Sequence, residues 1–170
     1  MPLVLTPAPA DAPPPGRVVV VGRAADLPPG PWLPFFASAV AAGFPSPADD
    51  YSEGDLDLLD LLGASAPSVF FCRAEGWSMR DEGIHDGDVL VVDRAIEPET
   101  GMIVVAAIDG ELTVKRFVRR GSRVVLLAAN PEHRPIELLD GQELLVWGVV
   151  TNSVRFHLPR GKGLRAVRAA

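Results

Sequence analysis

The sequence is poor in cysteine, in clustered histidine and in long apolar runs, and each shortage removes a class of function. Its single cysteine, Cys72, excludes an internal disulfide and fits a reducing, cytoplasmic compartment. It stands in Val69-Phe70-Phe71-Cys72 and reads as a buried structural thiol rather than a catalytic one. His85, His133 and His157 have no metal-ligand spacing, so no metal is expected. Nothing in the spacing joins them to Asp86 or Asp93 as a Ser–His–Asp triad. Gly83, Gly87 and Gly110 lack a phosphate-loop spacing, and no cofactor is expected. No apolar run reaches the roughly 18 residues that a membrane span requires. Residues 32–42, WLPFFASAVAA, mimic a secretory segment. Prolines at 28, 29, 31 and 34 interrupt that region, and no strongly basic start precedes it, so export is not expected.

Basic charge is also scarce. The net charge is −6, which argues against a general nucleic-acid binder, because phosphate neutralisation needs clustered Lys and Arg. The acid is local: residues 45–97 hold thirteen Asp/Glu and three Arg, a net of −10. The last twenty residues carry Arg155, Arg160, Lys162, Arg165 and Arg168 without an acid, a net of +5. That end reads as a solvated basic tail, with an acidic partner or nucleic acid as the alternative contact.

What is present is apolar material and punctuation. Hydrophobic residues make up 48% of the 170 residues and mean hydropathy is +0.20, enough for one domain with a real core. Of 17 prolines, six fall in the first 15 residues, which read as an extended or disordered arm. The arm runs to residue 42. It holds one β-branched run, Val18 to Val21, and an apolar patch, Leu33-Pro34-Phe35-Phe36. That patch weakly resembles a sliding-clamp-binding peptide; packing of the arm on the body is the plainer reading. Residues 55–62, DLDLLDLL, place leucines at helical spacing before Gly63 and predict a short amphipathic helix.

Beyond that helix, strand signals dominate, at 69–75, 88–93, 102–108, 111–118, 122–128 and 144–150. Asp109-Gly110 between two apolar runs predicts a type I′ hairpin, which needs positive φ at both central residues. The expected fold is mostly β: a compact, strongly bent antiparallel sheet domain with a short helix and an extended N-terminal arm.

Two residues 37 apart carry the chemistry: Ser78 in Gly76-Trp77-Ser78-Met79 and Lys115 in Leu112-Thr113-Val114-Lys115-Arg116. A serine hydroxyl is a poor nucleophile until a base takes its proton. Lysine can do so only when neutral. Lowering its pKa from about 10.4 to about 7 costs roughly 4.6 kcal/mol, which burial among apolar groups can impose. On a strand, Lys115 shares a face with Thr113 and Phe117, so an apolar setting is expected.

These residues have a wider context. The segment AGFPSPADDY at 42–51, Glu75-Gly76-Trp77-Ser78-Met79, DEGIHDGD at 81–88 with Val91-Val92-Asp93, DGELTVKR at 109–116 and Trp147-Gly148-Val149-Val150 together resemble the UmuD/LexA family of self-cleaving serine–lysine proteins. The resemblance runs from about Pro34 to Val150. It implies Ser78 as nucleophile, Lys115 as base and Ala42-Gly43 as the scissile bond. Small residues at the cut suit a narrow cleft, and Gly43 tolerates strained geometry. Backbone N–H groups at Trp77 and Ser78 are the expected oxyanion hole. Trp77 is bulkier than the pattern leads one to expect.

By the same resemblance, residues 1–42 are an arm removed by self-cleavage, 43–157 a peptidase-like domain and 158–170 a basic tail. The implied partners are a second copy of the chain, a RecA filament on single-stranded DNA that promotes cleavage after DNA damage, and a UmuC-like translesion polymerase served by the trimmed homodimer. No sequence-specific DNA binding and no membrane contact are expected. A LexA-like repressor would need a helix-turn-helix ahead of the cut, which the proline-rich arm does not suggest. A signal peptidase would need a membrane anchor. A non-catalytic interaction module with a vestigial dyad is the remaining alternative.

Overall fold

The computed structural model describes residues 17–23, 33–36, 52–121, 123–137 and 143–157. Ten strands and one short helix follow in order: β1 (Arg17–Arg23), β2 (Leu33–Phe36), β3 (Ser52–Leu56), α1 (Leu58–Leu61), β4 (Val69–Glu75), β5 (Val89–Asp93), β6 (Ile103–Ile108), β7 (Glu111–Arg120), β8 (Arg123–Leu127), β9 (Ile136–Glu137) and β10 (Leu144–Val154). Eight of them form one sheet in the order β1-β4-β5-β10-β6-β7-β8-β9, and β2 pairs with β3 in a separate two-stranded sheet. Every pairing is antiparallel, as expected for a mostly β chain.

The long sheet is strongly bent. Strands β4 and β7 are separated in it by β5, β10 and β6, yet β1, hydrogen-bonded to β4, also packs against β7. The bend has a local cause in β10, whose first half pairs with β6 and second half with β5. Its register slips between Val146 and Gly148 and again between Val150 and Asn152, and such bulges add twist and curvature. At Gly148 a Cβ would come within 2.8 Å of Val92 Cγ1 and 3.0 Å of the Asp93 carbonyl oxygen, so only glycine fits this close approach of β10 to β5.

Residues alternate between two packing faces, as the strand period of two requires. Leu90 and Val92 of β5, Val105 of β6 and Val114 of β7 join Val18, Cys72, Ala74, Met79 and Ile84 in one cluster. Val104 and Ala106, with Phe117, Leu126 and Val149, build a second. Cys72 is buried in the first, and burial pushes its thiol up to about 12, an inert structural cysteine.

The Asp109-Gly110 turn has φ of 49° and 86° and joins Ile108 to Glu111 across β6 and β7, as the type I′ geometry demands. The helix is shorter than its leucine pattern predicts. Asp57 caps α1 by accepting from the amides of Leu59 and Asp60, while Asp55 and Leu56 belong to β3. An Asp side chain that bonds the first free amides starts a helix more strongly than leucine spacing extends one. Leu59 and Leu62 pack on Ala64, Val69 and Val91, and Gly63, at φ 62°, ends the helix.

Part of the predicted arm is strand. Val18 to Val21 lie in β1, and Val18 is buried against the core. Leu33–Phe36, the apolar patch of the arm, has its backbone paired with residues 52–56. Ala42-Gly43 and the basic residues 158–170 lie outside the described residues.

Candidate active site

Ser78 follows the end of β4 on a connection that returns to β5. The β4–β5 ladder continues past the strand ends, because the Ala74 amide donates to the Asp88 carbonyl at 2.9 Å and the Gly87 amide to the Ala74 carbonyl at 2.8 Å. The connection is therefore a closed excursion. Gly76, Gly83 and Gly87 take φ of 87°, 79° and 84° within it, conformations that side chains disfavour. Asp86 Oδ1 accepts from the Gly76 amide at 2.9 Å. A 3₁₀ turn at Arg80–Glu82 follows the serine.

Both chemical side chains are buried: Ser78 is 3% exposed and Lys115 2%. Lys115 Nζ lies 3.0 Å from Ser78 Oγ, 3.0 Å from Thr113 Oγ1 and 2.9 Å from the Val114 carbonyl oxygen. Those three oxygens also suit a neutral amine. Its two N–H groups serve Val114 and Thr113, and its lone pair faces the serine hydroxyl. Burial holds the Lys115 ammonium down to about 8 from an ordinary 10.5. Arg116, the next residue, forms an ion pair with Glu82 of the 3₁₀ turn, a second tie between the lysine strand and the serine connection.

A pocket lined by Ala74, Glu75, Gly76, Ser78, Met79, Ile84 and Val114 opens at the serine. Apart from Glu75, its walls are small or apolar. Trp77 does not fill it. That ring is 51% exposed and packs edge-on against His85 at 5.4 Å, so its bulk is carried at the surface.

The histidines do not form a triad with Ser78. His85 Nδ1 contacts the Gly83 carbonyl and the Arg155 guanidinium, and His157 is exposed. His133 is held below the ordinary histidine range by burial, with the positive charge of Lys115 adding to it. Arg155, counted among the basic C-terminal residues, is bound to the domain through Asp88 at 2.8 Å. Burial alone would raise the Asp88 carboxyl, but hydrogen bonds from Arg155 and the His85 amide, with the Arg155 charge, leave it below the usual range.

A buried residue that the sequence did not mark supports the serine from behind. Asn130 is 3% exposed. Its Nδ2 donates to the Trp77 carbonyl at 3.0 Å and its Oδ1 accepts from the Glu132 amide at 2.9 Å. Beside it the Ala129 amide donates to the Ser78 carbonyl at 2.8 Å, and the Asp81 amide donates to the Ala129 carbonyl at 2.9 Å. In sequence, Asn130-Pro131 reads only as a turn.

No group of three or more His, Cys, Asp or Glu among the described residues could hold a metal ion. No helix among them is long and apolar enough to cross a membrane.

Residues 34–151 match the Peptidase S24-like family. Protein ImpA of Salmonella typhimurium is 44% identical over 122 residues, 71% of this chain and 82% of ImpA. Protein MucA of Escherichia coli is 42% identical over 127 residues, 74% of this chain and 86% of MucA. LexA repressor 1 of Pseudomonas putida is 44% identical over 117 residues, 68% of this chain but 57% of the repressor. The match, the fold and the more complete coverage of ImpA and MucA agree: the chain belongs to the Peptidase S24-like family, among its UmuD-like members.

Proposed function

We propose that this UmuD-like protein of SOS mutagenesis cleaves its own chain between Ala42 and Gly43, with Ser78 as nucleophile and Lys115 as base. The observation that carries the proposal is the buried contact of 3.0 Å between Lys115 Nζ and Ser78 Oγ. Neutral Lys115 takes the hydroxyl proton while Oγ attacks the Ala42 carbonyl carbon. The negative charge then forming on the carbonyl oxygen is met by backbone N–H groups at Trp77 and Ser78. The C–N bond to Gly43 breaks as its nitrogen receives the proton from the Lys115 ammonium. A water molecule, deprotonated by the same amine, hydrolyses the Ser78 ester and releases the arm.

Residues 1–42 then leave, and the remainder acts as a homodimer with a UmuC-like translesion polymerase in the cytoplasm. A RecA filament on single-stranded DNA raises the population of chains whose arm is docked for cutting. Likeness to ImpA and MucA favours this role over that of a LexA-like repressor.

Intact-mass analysis after incubation at mildly alkaline pH, with and without a RecA–single-stranded-DNA filament, tests the proposal. The larger product should begin Gly-Phe-Pro-Ser, and the filament should speed its appearance. Ser78→Ala and Lys115→Ala should each abolish it, because the pair acts as one proton-transfer unit. A different new N-terminus removes the Ala42-Gly43 assignment, and wild-type cutting by either alanine variant removes the dyad.

A further inference from the structure

We infer that Asn130 is a positioning residue for the reaction, acting through the Trp77–Ser78 peptide group. The inference rests on the Ser78/Lys115 proposal. The amide at Ser78 is one of the two N–H groups assigned there to the oxyanion, and its direction is set by the peptide plane to which it belongs. In a trans peptide the C=O and N–H point to opposite sides, so fixing the Trp77 carbonyl fixes the Ser78 N–H.

The Trp77 carbonyl is fixed twice. It accepts from the Arg80 amide at 3.3 Å within the 3₁₀ turn and from Asn130 Nδ2 at 3.0 Å from outside it. The second bond is the shorter. It comes from a side chain 3% exposed whose own orientation is locked, since Oδ1 is committed to the Glu132 amide at 2.9 Å. Preorganised donors are effective because they need no reorientation when charge develops. A hydrogen bond to a peptide carbonyl also polarises the same peptide's N–H, strengthening it as a donor. Asn130 thus both aims and sharpens the Ser78 N–H without touching substrate.

Another feature separates this role from simple packing. The backbone beside Asn130 already braces the turn: the Ala129 amide holds the Ser78 carbonyl, and the Ala129 carbonyl holds the Asp81 amide. Loss of the Asn130 side chain therefore leaves the serine turn attached by these backbone hydrogen bonds and removes the shorter of the two that orient the Trp77–Ser78 plane.

The test compares Asn130→Ser and Asn130→Ala in the full chain, with Ser78→Ala as the reference. A serine hydroxyl can still accept from the Glu132 amide as an ST turn, but it is too short to reach the Trp77 carbonyl as well. Self-cleavage followed by intact mass from pH 6 to 10 should show both Asn130 variants slowed about 10–100-fold on the alkaline plateau, somewhat less than outright removal of an oxyanion donor. The pH of half-maximal rate should stay at the wild-type value, because Lys115 keeps its surroundings. Labelling of Ser78 by a fluorophosphonate, which needs no docked arm, should slow in parallel, and the Ser78 amide ¹⁵N resonance should move.

A wild-type plateau and wild-type labelling in either variant overturns the inference. So does full rescue by serine with loss in alanine, which would make Asn130 a turn residue only. A displaced half-maximal pH would mean that Asn130 acts on Lys115 instead, and also overturns it. Should Asn130→Ala not fold, the serine variant decides alone. If Ser78→Ala still cuts, the dyad itself is wrong; if Ser78→Ala is dead and both Asn130 variants are unimpaired, only the role of Asn130 is wrong.

Discussion

Lys115 Nζ stands 3.0 Å from the hydroxyl of Ser78 and 2.9 Å from the carbonyl oxygen of its own neighbour Val114. The carbonyl can only accept, so one amine N–H is always engaged there, and loss of a proton frees the lone pair for the serine. A single proton therefore decides whether the amine can accept from the serine hydroxyl.

With Lys115 as the proposed base, that proton sets the pH dependence expected of self-cleavage. Burial holds Lys115 down to about 8, so the rate should rise with pH, reach half its maximum near that value and flatten by about pH 10. A histidine base would place the rise near about 6.5 and complete it by about pH 8. Cleavage rates by intact mass across pH 6–10 distinguish the two. A flat profile, in a variant whose arm is held docked, would show that Lys115 is not the titrating base.

The same proton affects stability. The folded pKa of Lys115 lies below its ordinary 10.5, so between those two values the unfolded chain binds a proton that the folded chain does not. Stability contributed by this group is therefore lowest below about pH 8 and rises through the window up to pH 10.5, by roughly 3 kcal/mol in all. Cys72 has the opposite sign, since burial raises its thiol to about 12, and its effect cancels between variants that share it. Lys115→Met removes the lysine contribution and nearly keeps the volume. Urea unfolding at pH 7.5 and pH 10 should show wild type gaining on Lys115→Met by about 2–3 kcal/mol, while the variant is inactive at both. Parallel pH curves for the two proteins would mean that the ammonium carries no burial penalty.

Much of the site and the sheet was legible because local signals agreed. Asp109-Gly110 predicts its own turn, and apolar runs bounded by turn signals predict β5, β6 and β7 to within one or two residues at each end. The serine and lysine stand out as chemistry, and the structure brings them into contact. The helix start was misplaced because Asp57 is one acid among several, and only its bonds to Leu59 and Asp60 single it out. Asn130 was invisible for a different reason. Its work depends on which carbonyl it meets 53 residues away, and nothing local encodes that. The pairing of β1 with β4 was hidden likewise: a valine run announces a strand but not its neighbour.

Gly148 tests the bend. A methyl group there meets Val92 Cγ1 at 2.8 Å and the Asp93 carbonyl oxygen at 3.0 Å; the valine can rotate, but the backbone oxygen cannot move without parting β10 from β5. Gly148→Ala should cost about 1–3 kcal/mol. Gly22→Ala is the control, because a Cβ there meets nothing within 4 Å. Denaturant midpoints that place both variants at wild-type stability would refute the close approach.

Strand β1 lies upstream of the proposed cut and yet belongs to the main sheet. Val18 pairs with Ala74 and Val19 with Arg73, Val18 is buried in the core cluster that includes Ala74 and Val114, and Arg23 stacks over Phe70 at 5.4 Å. Cleavage at Ala42-Gly43 would leave these contacts in place but make them dissociable, so β4 would become an exposed edge once the fragment departs. Successive amides along a strand point to opposite neighbours. Ala74 donates to Asp88, on the β5 side, so the Arg73 amide faces β1. Hydrogen exchange should therefore show the Arg73 amide protected in the intact chain and fast in the cleaved chain after its arm fragment is removed, with Ala74 protected in both. Val18→Asp should reproduce the fast Arg73 amide without any cut, because a carboxylate is expelled from that cluster. Equal protection of Arg73 before and after removal of the arm fragment would show that β1 does not shield this edge.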